Sequence, residues 1–69
     1  MDVEARTREV AATLIGLDEA TANTAAEEAG MMTRVMSRDG RRLSRRADRR
    51  FNRINLSIEK GTVVATSVG

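Results

Sequence analysis

The 69-residue chain has no cysteine, histidine, proline, tryptophan or tyrosine, and one phenylalanine. Each absence closes off a class of protein. Without cysteine there is no disulfide framework, thiolate zinc site or thiol nucleophile. Without histidine there is no imidazole metal cluster, no His-based catalytic triad and no imidazole pH switch. Without proline, no turn is stiffened by a fixed φ. The single ring, Phe51, gives no platform on which the bases of a single strand could stack. No apolar run exceeds four residues, too few to span a membrane. No charged segment leads into an apolar stretch of signal-peptide length, so a cytoplasmic chain or a processed mature form is expected. The length suits one small core, which must be aliphatic. It leaves no room for a cofactor domain, and neither an enzyme, a cofactor nor a metal is expected.

What is present is charge, unevenly spread. Residues 1–30 carry seven acids against Arg6 and Arg8, a balance of −5. Residues 31–53 carry nine arginines against Asp39 and Asp48, a balance of +7, and contain no lysine. Arginine presents a rigid fork of five donors, suited to bidentate hydrogen bonding as well as to solubility.

The pattern along the chain predicts an α+β fold. Val3, Val10 and Leu14 stand near helical spacing, consistent with a short N-terminal helix or a frayed arm over residues 1–15. Gly16 breaks that pattern. Asp18 stands at an N-cap position with Glu19 in the first turn, and the alanine-rich run to Ala29 is a strong helix former, stopped by Gly30. Its inward face would be Ala22, Ala25, Ala26 and Ala29. Residues 31–37 read as a strand of uncertain face, in which Met31, Met32 and Met36 fill core or edge. Asp39-Gly40 is a turn. Residues 52–58 alternate Ile54, Leu56 and Ile58 with Arg53, Asn55 and Ser57, the mark of a half-buried strand. Glu59-Lys60-Gly61 is a hairpin turn, and Thr62–Thr66 returns as a β-branched strand.

Between the strands lie thirteen residues, Asp39 to Phe51, a long connection for so small a domain. Leu43, Ala47 and Phe51 recur every four residues, with arginine pairs at 41/42, 45/46 and 49/50. One reading is an amphipathic Arg-rich helix suited to phosphate contacts. The other is an extended, exposed loop pinned by arginines from its own base.

From Gly16 onward the chain resembles the potato type I serine-protease inhibitor family, with its eglin-like fold, and most of all its bacterial members. The residues that carry the likeness are the glycine and acid-capped helix (Gly16, Asp18 to Ala29), then Arg34-Val35 and Arg38-Asp39-Gly40. After these come Ala47-Asp48, the run Arg50-x-Asn52-Arg53-Ile54-Asn55, and the closing Val68-Gly69. The resemblance implies one main helix on a small mixed sheet, with residues 16–69 as the inhibitor-like domain. It also implies that residues 41–50 are the loop that docks, substrate-like, in a protease cleft. Ala47 would then be the specificity residue and Asp48 the acid that follows it, within a reactive stretch of Arg45, Arg46, Ala47, Asp48 and Arg49. Arg53 matches a supporting arginine, Asn55 stands at a second arginine position, and Arg50 is a further candidate support. Ala47 suits subtilisin-like or elastase-like enzymes, whereas a register one residue earlier, at Arg46, suits trypsin-like or dibasic-cleaving ones.

The loop departs from the family pattern. Ser44-Arg45-Arg46 replaces a Pro-Val-Thr-like approach, and Arg46 cannot accept the hydrogen bond the threonine takes. Arg49 replaces an aromatic, and Phe51 a proline or aliphatic. Two other readings remain. One is a module binding nucleic acid or another polyanion through residues 41–53. The other is an inhibitor-fold domain that does not inhibit.

Overall fold

A computed structural model describes residues 2–43 and 48–69. Two helices, α1 (Val3–Leu14) and α2 (Glu19–Glu28), precede four strands: β1 (Met32–Arg38), β2 (Arg41–Arg42), β3 (Arg53–Glu59) and β4 (Thr62–Val68). The strands form one mixed sheet in the order β2-β1-β3-β4. The central pair, β1 and β3, is parallel, while β2 and β4 lie antiparallel at the edges. The fold is therefore α+β. No helix among the described residues is long and apolar enough to cross a membrane.

Both helices begin with an aspartate. The Asp2 carboxylate accepts the Glu4 N–H, and that of Asp18 accepts the Thr21 N–H and hydroxyl, so each satisfies a donor that the first turn leaves orphaned. The hydrogen bonds from Thr21, its hydroxyl first, hold the Asp18 carboxyl below its ordinary range. Residues 3–14 form a helix. At twelve residues α1 is longer than the ten-residue α2, so the picture of one main helix is revised to two. Thr7, Ala11 and Leu14, at helical spacing, face inward. Thr7 is fully buried, but its hydroxyl donates to the Val3 carbonyl and approaches the Met31 sulfur at 3.3 Å.

The core lies between the helices and one face of the sheet: Leu14, Ala22, Ala26, Ile54, Leu56, Ile58 and Val63 are all at most 1% exposed. Ala22 and Ala26 let α2 lie close on the strands, while Ala25 and Ala29 are only partly buried at its flank. Of Met31, Met32 and Met36, the first is buried, the second exposed and the third half-buried.

Two-residue turns close both hairpins. Asp39-Gly40 and Lys60-Gly61 all have positive φ, between 51° and 80°, as a turn matching the twist of its strands requires. The Asp39 carboxylate also accepts the Lys60 N–H at 2.7 Å, tying one turn to the other.

Candidate functional site

The chain leaves β1 through the Asp39-Gly40 turn, runs back along it as β2, and re-enters the sheet at β3. Arg41 and Arg42 pair with Arg38 and Ser37, and the Leu43 N–H donates to the Met36 carbonyl. Residues 48–50 have no regular structure and are exposed. With β2 at one end and irregular chain at the other, a continuous helix over 41–51 does not form. The two candidate specificity residues, Ala47 and Arg46, lie outside the described residues, as do Ser44 and Arg45.

Asp48 is where the connection meets the sheet. Arg53, the first residue of β3, is 6% exposed and has its whole fork engaged. Nη2 donates to the Asp48 carbonyl at 2.8 Å, Nη1 to its carboxylate at 3.2 Å, and Nε to the Gly69 carbonyl at 2.9 Å. One buried guanidinium thus fixes the backbone and the side chain of Asp48 together and ties both to the end of β4. Charge-assisted bonds of this kind contribute about 1.5–3 kcal/mol each, and less where one partner is open to solvent, as Asp48 partly is.

Two further arginines face the same carboxylate. Arg50 Nε and Arg34 Nη1 each lie 3.7 Å from an Asp48 oxygen, an ion-pair distance beyond a hydrogen bond. Arg34 was not among the supports expected from sequence. It reaches the site from β1, where the parallel register sets it beside Asn55. Its Nε donates to Asn55 Oδ1 at 3.0 Å, and Asn55 Nδ2 donates to Ser67 Oγ at 3.2 Å. Asn55 thus orients Arg34, which in turn faces the Asp48 carboxylate. In the sequence Arg34 stands in the first strand pattern and in the Arg34-Val35 pair, neither of which marks it as a support. Its proximity to Asn55 depends on a pairing between distant segments.

The face carrying Arg53, Arg34 and Asn55 also revises the half-buried reading of β3. Arg53 and Asn55 are as buried as core residues, because the far side of the strand is covered by this polar network. Arg49, expected in the reactive stretch, turns to the helix layer: its Nη2 donates to Glu4 of α1 at 2.8 Å, and its guanidinium lies 5.8 Å from the centre of the Phe51 ring. Among the described residues, no cluster of three or more carboxylates is placed to hold a metal ion. No protein-family model, curated protein or solved structure matches this chain.

Proposed function

We propose that the protein inhibits serine proteases by presenting residues 41–50 as a substrate-like loop. The observation that carries this reading is the fork of Arg53 on Asp48. An inhibitory loop must lose little entropy on docking and must hold its scissile segment in place if the bond is cut. A buried guanidinium bonded to the carbonyl and the carboxylate of one loop residue does this without a disulfide. In this reading Asp48 follows the specificity residue, Ala47, with Arg46 as the alternative one position earlier. The enzyme supplies the chemistry, and this chain supplies a rigid, slowly released substrate.

The experiment is a panel of subtilisin-like, elastase-like and trypsin-like proteases titrated with stoichiometric protein. Tight inhibition of one class, with a slow single cut within residues 45–48 found by mass spectrometry, is the expected result. Rapid multiple cleavage with no inhibition of any class would refute the reading, and would leave an inhibitor-like scaffold without the activity. Salt-sensitive, high-affinity binding to duplex DNA would instead favour the polyanion reading of the arginines.

A further inference from the structure

The two shoulders of the connection share an unusual composition. On the leading side stand Arg41, Arg42 and then Leu43, half exposed; on the trailing side stand Arg50 and then Phe51, 56% exposed. Phe51 is the chain's only aromatic, yet it lies outside the aliphatic core. Arg8, Arg34, Arg38, Arg49, Arg50 and Arg53 each pair with an acid of the chain. Arg41 and Arg42 form no ion pair among the described residues, and Arg41 sits across from Arg38 in the sheet register, like charge against like. An edge strand can carry arginines simply to repel other edges. That explanation does not extend to an exposed phenylalanine and leucine at the loop's two ends. Arginine and aromatic residues are the side chains that carry most binding energy in protein interfaces.

We propose that Arg41, Arg42, Leu43, Arg50 and Phe51 form a basic, partly apolar collar around the loop, and that its partner is a serine protease whose cleft is rimmed by carboxylates. The inference rests on the inhibitor reading and adds the kind of enzyme. Arg41 and Arg42 carry charge that no acid among the described residues pairs with, so an acidic rim would draw this edge of the loop first. The arginines then act mainly on the association rate, and Phe51 on the lifetime of the complex.

The test compares association and dissociation rates for wild type, Arg42→Glu, Phe51→Ala and Arg6→Glu. Arg6→Glu changes the net charge as Arg42→Glu does, at another exposed arginine that forms no ion pair among the described residues but lies far from the loop in sequence. The probes are a dibasic-cleaving subtilisin-like protease with an acid-lined cleft and an elastase-like protease with a neutral one. With the acidic enzyme, Arg42→Glu should slow association about tenfold at low salt and flatten its salt dependence. Phe51→Ala should speed dissociation about tenfold, and Arg6→Glu should change neither rate. Equal effects of Arg42→Glu and Arg6→Glu, or equal association with both enzymes, would overturn the collar and leave inhibition standing. Inhibition of neither enzyme, nor of any other on the panel, would overturn both proposals. Duplex DNA binding at physiological salt that Arg42→Glu abolishes would assign the collar to a polyanion and refute the protease rim.

Discussion

Arg53 has three acceptors and no solvent to replace it, so its removal acts at two places at once. Arg53→Ala frees Asp48 from the sheet and unties the Gly69 carbonyl from β3. A loss of about 2–3 kcal/mol of stability is expected by chemical denaturation, together with faster cleavage near residue 48. Arg53→Lys should recover little of either, because an ammonium cannot fork onto carbonyl and carboxylate in fixed geometry. Asn55→Ala is expected to cost less stability but to loosen Arg34, which limited proteolysis would register as an intermediate cleavage rate. Arg41→Ala, on the outer strand, should match wild type in both assays. Arg53 and Asp48, five residues apart, could both be singled out from the sequence. Arg34 as a support could not. Its strand has no clean period: Val35 pairs with Leu56 and Ser37 with Ser57, so Met36 is an extra residue that breaks the alternation. A bulge shows itself only against the partner strand, and so the face of Arg34 could not be assigned from its neighbours.

Among the elements, α2 is the one whose limits could be read most directly, since Asp18 and Gly30 punctuate it and alanine fills it. The ambiguity of α1 has a physical source. Its buried positions are Thr7, Ala11 and Leu14, of which only the last is a large apolar side chain. Such a helix gains its stability from docking rather than from its own pattern. The start of α2 also carries the protein's clearest acid sensitivity. Arg38 forks onto both carboxylate oxygens of Glu19, which lowers the Glu19 carboxyl and raises the Arg38 guanidinium. Asp18 is lowered as well, by Thr21. For an acid lowered on folding, the stabilisation is present above its unfolded pKa and is lost as pH falls through the folded one. Melting temperature should therefore decline as pH drops from about 5 towards 3, and Asp18→Asn with Glu19→Gln should flatten that decline. Thermal melts across this range check it. Asp18 is exposed and Glu19 only half-buried, so the effect should shrink in high salt.

At the scale of the molecule, α1 shares one core with α2 and the sheet. Leu14 is fully buried, and Gly16 and Leu17 exchange backbone hydrogen bonds with Val63 of β4. Residues 16–69 alone would lose Leu14 and Ala11 from a core with few large side chains, a deficit of several deletions worth about 2–5 kcal/mol for the leucine by itself. A truncated chain is expected to give a collapsed amide spectrum by NMR where the full chain gives a dispersed one. The α+β class followed from the alternation of β3 and the composition of α2, whereas the strand order needed the sheet itself, because parallel pairing of β1 with β3 leaves no local trace.

That parallel pair also dictates how the chain must fold. Two strands joined by a hairpin can zip from their turn, but β1 and β3 can meet only after the whole arginine-rich connection has closed on itself. Closure entropy rises slowly with length, so doubling the connection should cost only about 0.6 kcal/mol, expressed mainly as slower folding. With no proline in the chain there is no prolyl isomerisation to add a late step. Stopped-flow refolding should then run as one exponential whose rate is governed by the reach of the loop, so that the arginine-rich connection also sets the pace at which the molecule is made.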